Sequence, residues 1–194
     1  KRNPNYQITI YEKNISTILE EGYGVQLSVN CIKLLNEIGF EKIQNGEKFT
    51  PEKIDFYTDK SSKKICELDI SNYNSKNCKY TTIKRSTLIN FLKRDLGDLI
   101  KTGYNISKID QQDKQIKLSF ENDETIECDY LIISDGVFSK SKSLISNNQT
   151  KPRYNDTLAI RGMITKLPKN IDNKHISLFL GSDFHYVIYP VSPN

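Results

Sequence analysis

The chain has no tryptophan, one methionine and only two histidines among its 194 residues. Its cysteines form no C-x-x-C pair, so the sequence predicts no zinc or other metal site. No apolar run approaches the roughly 20 residues of a membrane-spanning helix, which predicts no integral membrane segment. The four cysteines are scattered and no signal-peptide pattern accompanies them, as is typical of reduced thiols, so we expect a cytoplasmic protein.

The charges of the chain are nearly balanced, since 28 basic and 24 acidic residues leave a net charge of +4. The two signs are interspersed, whereas a nucleic-acid binder needs its basic residues gathered on one face. We therefore expect no nucleic acid as a partner. Apolar residues make up 37% of the chain and recur along its whole length, which predicts a globular fold rather than a disordered chain.

Hydrophobic periodicity predicts two amphipathic helices in the first half of the chain. The first runs from Ser28 to Ile38, because apolar residues fall on one face and Gly39 follows as a stop signal. The second has Ser86 as its N-cap and continues with leucine and phenylalanine residues on its buried face.

Short runs rich in β-branched and aromatic residues predict strands along the rest of the chain. The predicted strands are 7–11, 54–57, 65–70, 104–109, 115–120, 125–128, 130–133, 157–165 and 175–189. The three strands between 104 and 128 are joined by polar turns and predict an antiparallel meander. The segment 130–133 is continuously apolar, which predicts a strand buried on both faces.

The order of these elements predicts two domains. Residues 1–148 read as an α/β domain with a β-meander insertion, and 149–194 as the start of an antiparallel sheet domain. The first residue is Lys1 rather than methionine, and a strand follows almost at once. We therefore expect both ends of the chain to be cuts within a longer protein.

Two stretches near the start carry a resemblance to a known family. Tyr11-Glu12-Lys13 ends a strand, and Gly22 to Asn30 leads into the first helix. Together they resemble the FAD-dependent aromatic hydroxylases, the group of p-hydroxybenzoate and salicylate hydroxylases. The resemblance implies that Glu12 binds the adenosine ribose, although Glu12 taken alone is better explained as a solvated glutamate. The residues that match the stretch beside the isoalloxazine ring are Gly24, Val25 and Gln26.

A second match lies at the head of the second helix. The segment from Ile83 to Leu92 resembles the family's arginine followed by leucines three and seven places later. The resemblance implies that Arg85 contacts the phosphate-ribose region of FAD, for which a guanidinium can donate two parallel hydrogen bonds. The alternative is a surface charge, which the helix dipole disfavours at this position.

A third match spans the segment from Cys128 to Lys142. Its apolar run, Asp-Gly pair, serine and basic residue resemble a family motif that is associated with FAD and with the nicotinamide cofactor. The resemblance implies that Asp135 and Gly136 take part in cofactor binding. Lys142 stands where the family usually has arginine, so the bidentate fork is lost and the charge is kept.

The last segments resemble the start of a substrate domain in the salicylate-hydroxylase-like branch. The matching stretches are Ala159 to Gly162 and His185 to Pro190. The resemblance implies that they cover a substrate pocket, with Arg161, His185 and Tyr189 as candidates. A partly buried position in a sheet explains these residues equally well. No catalytic base can be assigned from the sequence.

The resemblance implies a p-hydroxybenzoate-hydroxylase-like fold, with a Rossmann-like FAD domain and an antiparallel substrate domain. It also implies FAD as cofactor, NAD(P)H as co-substrate and hydroxylation of a small, salicylate-like aromatic through a flavin hydroperoxide. Whether the protein forms a homodimer is left open by the sequence. Because the phosphate-binding pattern G-x-G-x-x-G is absent from these residues, we expect the isolated chain to purify without bound flavin and to be inactive.

Other functions remain open at this point. The chain is also compatible with a ubiquinone-pathway hydroxylase, a halogenase-like enzyme or another flavoprotein on the same fold. The lysine motif of a halogenase is not found in these residues. A different class is a non-catalytic module that kept the fold and lost the phosphate loop.

Overall fold

The computed structural model describes residues 5–15, 23–146, 152–169 and 171–193. Three α-helices lie in these residues, α1 (Val29–Asn36), α2 (Arg85–Lys93) and α3 (Ser141–Ile145). The strands of the same residues are β1 (Ile10–Glu12), β2 (Gly24–Leu27), β3 (Lys48–Phe49), β4 (Lys53–Thr58), β5 (Lys64–Asp69), β6 (Thr81–Lys84), β7 (Ile100–Thr102), β8 (Ile106–Gln112), β9 (Gln115–Phe120), β10 (Thr125–Cys128), β11 (Ile176–Leu180) and β12 (His185–Ile188). No helix among them is long and apolar enough to cross a membrane.

The chain forms two compact units, each made of two separate segments. Unit 1 comprises Lys1–Ile18 and Leu96–Ala159, and unit 2 comprises Leu19–Asp95 and Ile160–Asn194. The predicted boundary between residues 148 and 149 lies outside the described residues, and the predicted division into two consecutive domains stays a prediction.

Unit 1 contains a parallel pair and a meander. Strands β1 and β7 pair in parallel, with Ile10 opposite Ile100. Strands β8, β9 and β10 form an antiparallel sheet in the order β10-β9-β8, which confirms the predicted meander. The ring of buried Phe120 lies 4.9 Å from the ring of Tyr11 and 5.0 Å from that of Tyr104, so an aromatic cluster packs in this unit.

The prediction of a doubly buried strand at 130–133 is wrong. The segment has no assigned strand, and the side chains of Tyr130 and Ile132 are 85% and 89% exposed. A strand needs a neighbour to satisfy its backbone hydrogen bonds, and among the described residues no strand pairs with this segment. Apolar composition alone therefore did not determine its structure.

The core of unit 2 lies between a three-stranded sheet and two helices. Strands β2, β6 and β3 pair antiparallel in the order β2-β6-β3. Because side chains alternate along a strand, one face of this sheet carries the buried side chains of Leu27 and Ile83. Ile32 of α1 and Phe91 of α2 pack against them, together with Phe40.

The two predicted helices are present, with corrected boundaries. The first ends at Asn36, and Ser28 is its N-cap. The second begins at Arg85 rather than after Ser86, and its N-cap is Lys84. The backbone N–H of Arg85 donates to the carbonyl of Tyr23 at 2.8 Å, so the chain ahead of β2 satisfies one of the free donors at the start of this helix.

The second sheet of unit 2 joins strands that are distant in sequence. Its order is β12-β11-β4-β5, with β4 and β11 parallel and the other pairs antiparallel. The predicted strand 175–189 is divided into a hairpin, in which the Gly181 N–H donates to the Phe184 carbonyl at 2.9 Å. The rings of Tyr57, Phe179 and Tyr186 stack across three of its strands, with centroids 4.8 and 4.4 Å apart.

The predicted strand at 157–165 is absent, and this prediction is also wrong. These residues have no assigned strand, and Leu158 and Ile160 are 80% and 89% exposed. As at 130–133, no described strand supplies backbone partners for the segment.

A buried carboxylate joins three strands of the second sheet of unit 2. Asp55 of β4 is only 2% exposed. Its two oxygens lie 2.8 Å from the Lys64 ammonium of β5 and 2.7 Å from Nδ1 of His175, which immediately precedes β11. Burial alone would raise the pKa of Asp55, but the hydrogen bonds from Lys64 and His175 outweigh it and hold that pKa below its usual value.

Candidate functional site

The candidate site lies on the face of the β2-β6-β3 sheet that points away from the core. Leu27 and Ile83 occupy the core face, so the alternate residues of both strands occupy the other. Gly24 and Gln26 of β2 are on this second face, with Thr82 of β6 directly opposite Gln26. Two of the predicted flavin-contact residues therefore share one surface.

The segment that follows β12 covers part of this face. The hydroxyl of Thr82 donates to the carbonyl of Pro190 at 2.5 Å. A Cβ atom placed on Gly24 would lie 2.6 Å from Cε2 of Tyr189 and 2.7 Å from Cγ1 of Val191. The absence of a side chain at Gly24 is therefore what allows the tyrosine ring to lie against the strand.

Polar groups gather around this contact. The hydroxyl of Tyr80 donates to Oε1 of Gln26 at 2.7 Å. Burial raises the pKa of Tyr80, and the neighbouring Tyr189 raises it further. Burial also raises the pKa of Tyr189, against the opposing effect of the Arg161 cation. The structure thus brings Gly24, Gln26 and Tyr189 together on one sheet face, with both phenols held in their protonated form.

Tyr80 is the residue of this site that sequence reasoning missed. It lies just before β6, two residues from Thr82, and side chains two apart on a strand share a face. The polar loop before β6 gave no reason to single it out. Tyr80 could have been found only from the strand register. Because Gln26 pairs with Thr82, Tyr80 is a diagonal neighbour of the glutamine.

Val25 and Arg85 flank the same strands in different ways. Val25 packs against the core, so only its backbone could contact a ligand. Arg85 is exposed at the start of α2, next to the strand pairing of Gly24 with Lys84. Among the described residues no carboxylate lies within 4.0 Å of the Arg85 guanidinium, which leaves its fork of N–H donors available for a phosphate.

His185 stands apart from these contacts. It is exposed on the edge strand β12, opposite Leu180 in the register. Within the described part of the chain, no hydrogen bond or ion pair joins it to Tyr189 or Arg161. Its predicted role in a substrate pocket stays a prediction.

Glu12 lies in unit 1, at the end of β1. One of its carboxylate oxygens accepts a hydrogen bond from the backbone N–H of Asn14 at 2.9 Å. Its carbonyl accepts one from the N–H of Tyr104 at 3.0 Å. The second carboxylate oxygen can accept a hydrogen bond from a ligand, as the predicted contact with ribose hydroxyls requires.

Asp135 and Gly136, also in unit 1, form a turn ahead of α3. The carboxylate of Asp135 accepts a hydrogen bond from the backbone N–H of Ser141 at 3.1 Å. Burial would raise the pKa of Asp135, but hydrogen bonds from Ser139 and Ser141 lower it below the usual value. Gly136 has a φ of +82°, a left-handed conformation that favours glycine. The local turn is sufficient to explain why aspartate and glycine occupy these two positions. A role of Asp135 and Gly136 in cofactor binding stays a prediction.

The predicted cofactor and substrate residues are divided between the two units. Those in unit 2 are Gly24, Val25, Gln26, Arg85, Arg161, His185 and Tyr189, and those in unit 1 are Glu12, Asp135 and Gly136. Among the described residues there is no group of three or more histidine, cysteine or acidic side chains that could hold a metal.

Comparison with known proteins yields distant relatives of one kind. No model of a protein family matches the chain. The chloroplastic zeaxanthin epoxidase of Oryza sativa subsp. japonica is 24% identical over 197 residues, covering 96% of this chain and 30% of that protein. Salicylate hydroxylase of Pseudomonas putida is 26% identical over 126 residues, covering 57% of this chain and 29% of that enzyme. The chain spans about 30% of the length of these curated relatives.

Solved structures of flavin enzymes share the fold. HpxO of Klebsiella pneumoniae, crystallised with FAD, superposes with a TM-score of 0.75 at 12% identity, over 93% of this chain and 46% of that one. The 2,6-dihydroxypyridine-3-hydroxylase of Arthrobacter nicotinovorans gives 0.73 at 13% identity, over 97% and 46% of the two chains. The chain is a distant homologue of FAD-dependent aromatic hydroxylases and epoxidases. This confirms the resemblance found in the sequence.

The residues of this hydroxylase homologue fit the chemical parts of FAD. The ring of Tyr189 lies against the backbone of Gly24 and covers it, so a planar cofactor ring would lie beside Tyr189 on this face. The amide of Gln26 can hydrogen-bond to the polar edge of such a ring. The guanidinium of Arg85 suits a phosphate. The mixed α/β architecture is shared with FAD monooxygenases over part of their length.

Proposed function

We propose that this chain forms part of the flavin and substrate site of an FAD-dependent monooxygenase. The complete enzyme hydroxylates a small, salicylate-like aromatic compound with NAD(P)H and O₂. The observation that carries the proposal is the convergence of Gly24, Gln26 and Tyr189 on one sheet face in a distant homologue of flavin hydroxylases. In this proposal, residues 1–148 contribute to FAD binding and 149–194 begin the substrate domain.

Three parts of the cofactor have candidate partners. The Gln26 amide and the backbone of Gly24 and Val25 border the isoalloxazine ring, which lies beside Tyr189, and Arg85 binds the phosphate region. Glu12 accepts hydrogen bonds from the ribose. The remaining candidates for the cofactor and the nicotinamide are Asp135 and Gly136.

On the substrate side, Tyr189 supplies a protonated phenol, and Arg161 supplies a cation whose charge acts to lower the pKa of that phenol. A cation beside a hydrogen-bond donor favours a ring that carries an acidic group. The relatives agree with this chemistry, since salicylate is an aromatic acid and HpxO has been crystallised with uric acid. His185 is the third candidate for the pocket wall.

Bound FAD supplies the redox chemistry, in which electrons from NAD(P)H are passed to O₂. The contribution of the chain is binding, orientation and exclusion of water. The segment 189–191 packs over the sheet face through Tyr189, the Pro190 carbonyl and buried Val191, and so shields one side of the site.

Titration of the full chain with two flavins tests the proposal. Riboflavin has the ring without the pyrophosphate and adenosine, whereas FAD has all three. Because the phosphate-binding pattern is absent from these residues, we expect both flavins to bind too weakly to survive purification, but to give saturable quenching of flavin fluorescence when flavin is in excess. Replacing Arg85 by alanine should weaken FAD binding about 10-fold, the effect of losing one charge-assisted contact, and leave riboflavin binding unchanged. Arg153→Ala, which removes another exposed arginine, is the control for both ligands. Fluorescence of either flavin that rises in proportion to the flavin added, with no saturable quenching by the protein, would contradict the proposal.

A further inference from the structure

Tyr80 fixes the orientation of a side-chain amide that belongs to the proposed flavin site. Its hydroxyl donates to Oε1 of Gln26 at 2.7 Å, across a sequence separation of 54 residues. The contact is part of the sheet geometry, because Gln26 lies opposite Thr82 and Tyr80 is two residues before it. Tyr80 itself is half-buried, whereas Gln26 is exposed.

The direction of this hydrogen bond decides what Gln26 can offer to a ligand. A carboxamide has an oxygen that only accepts and an NH₂ group that only donates. Because the Tyr80 hydroxyl engages the oxygen, the NH₂ group is the end left to contact a ligand. The polar edge of an isoalloxazine ring carries two carbonyl oxygens and two ring nitrogens that accept hydrogen bonds, beside a single N–H that donates. An amide held with its NH₂ group toward the ligand can therefore donate to any of the accepting atoms.

The surroundings keep Tyr80 in the donor state. Burial and the adjacent Tyr189 both raise the pKa of its hydroxyl, so the proton stays on the oxygen across the neutral range. The approach of Tyr189 is in turn fixed by Gly24, against whose backbone its ring lies. Two tyrosines from distant parts of unit 2 therefore lie against strand β2, Tyr80 at Gln26 and Tyr189 at Gly24.

We propose that Tyr80 is a positioning residue for the flavin, which acts by holding the Gln26 amide with its NH₂ group toward the ligand. This inference rests on the proposed function. It adds a residue that neither the family resemblance nor the comparisons assign. Tyr80 is not expected to contact the flavin or the substrate itself.

The test compares flavin affinities of Tyr80→Phe, Gln26→Ala and the double variant in the full chain. Tyr80→Phe keeps the ring and removes only the hydroxyl, and we expect riboflavin and FAD to bind about 5- to 10-fold more weakly. In the double variant the two losses should not add, because Tyr80 acts through Gln26. Tyr73→Phe, an exposed tyrosine outside the site, should bind both flavins like the wild type.

A second variant tests the direction of the amide. Gln26→Glu can still accept the Tyr80 hydrogen bond but has no NH₂ group to donate, so it should bind flavin at least as weakly as Gln26→Ala. Urea denaturation of every variant shows whether the fold is kept. Additive losses, or an affinity of Tyr80→Phe equal to the wild type, would overturn the inference and leave the proposed function standing. Wild-type protein that binds neither flavin would overturn both.

Discussion

Gly24 is the residue at which the backbone itself shapes the candidate site. Tyr189 and Val191 come so close to this position that a Cβ atom would approach them to 2.6 and 2.7 Å. Contacts below 3.0 Å between such atoms are not tolerated, so a side chain here must displace the segment after β12. The fit between strand β2 and that segment therefore depends on a single missing methyl group.

Replacing Gly24 by alanine should destabilise unit 2 and loosen the segment that carries Tyr189. We expect the free energy of unfolding to fall by about 1–3 kcal/mol, as for overpacking elsewhere in proteins. Urea denaturation followed by circular dichroism measures this change. Loosening of the segment should appear as faster amide hydrogen exchange in residues 189–191.

Gly46→Ala is the matched control, since nothing lies within 4 Å of a Cβ atom at that position. Gly46→Ala should have the same midpoint of urea denaturation as the wild type. Equal stabilities of the two variants would show that Tyr189 does not pack against Gly24 in solution.

The sequence indicates some residues of this site and is silent on others. Gly24 and Gln26 are recognisable because they lie in a short motif before a helix. Tyr80 is not, because its role depends on strand register, which brings it to a glutamine 54 residues away. The position of Tyr189 against Gly24 likewise comes from chain packing rather than from any local pattern.

At the scale of elements, Asp55 joins the neighbouring strand of its own hairpin to a strand that is distant in sequence. Its carboxylate contacts Lys64 of β5 and His175, which leads into β11. The parallel pairing of β4 with β11 places Asp55 opposite buried Ser177, so the carboxylate cannot reach water as it stands. An ionised group in this position is stable only while its partners remain.

The stability of the chain should therefore depend on pH through Asp55. Its pKa is lowered by folding, so its contribution is fully present above the unfolded value of about 4 and is lost as pH falls through the folded value. Asp55→Asn should lower the free energy of unfolding at pH 7 by about 1–3 kcal/mol. It should also flatten the loss of stability below pH 4. Urea denaturation between about pH 2.5 and 7, a range that spans the pKa of an unfolded aspartate, is the measurement.

Glu67→Gln provides the control, because Glu67 also binds Lys64. Hydrogen bonds from Lys53 and Lys64 lower the pKa of Glu67 to about 2, but its side chain is 42% exposed and water screens these pairs. We expect the urea concentration at the unfolding midpoint of Glu67→Gln at pH 7 to match that of the wild type. If Asp55→Asn and Glu67→Gln lose the same free energy of unfolding, the burial of Asp55 does not increase its contribution to stability.

Prediction of the elements succeeded where partners are near in sequence. The meander of β8, β9 and β10 needs only short turns, so alternation and turn residues are sufficient to reveal it. The segments 130–133 and 157–165 have the composition of strands but no described strand to pair with. Composition measures a preference for the extended state, whereas a strand also requires a partner.

At the scale of the whole molecule, one stretch of unit 1 exposes an unusual amount of apolar surface. Tyr130, Ile132, Val137 and Phe138 are 85%, 89%, 74% and 81% exposed within nine residues. Contiguous apolar patches of this kind tend to associate with other surfaces. This stretch should therefore promote association of the chain in solution.

We expect the isolated chain to self-associate as its concentration rises. Ile132→Ser should reduce the association, and light scattering after gel filtration over a concentration series measures it. Ile15→Ser is the control, since Ile15 is 88% exposed outside this stretch. A constant mass at all concentrations, of a monomer or of a fixed homodimer, would contradict the expectation.

The interleaved layout of unit 2 has a consequence for synthesis. Strand β4 cannot gain its parallel neighbour until β11 has emerged from the ribosome, since Asp55 and His175 are 120 residues apart. Until then the β4-β5 hairpin keeps an open edge, and a contact between such distant residues forms slowly. The nascent chain therefore passes through a long interval in which Asp55 lacks His175, and a chaperone that covers this edge would raise the yield of folded protein.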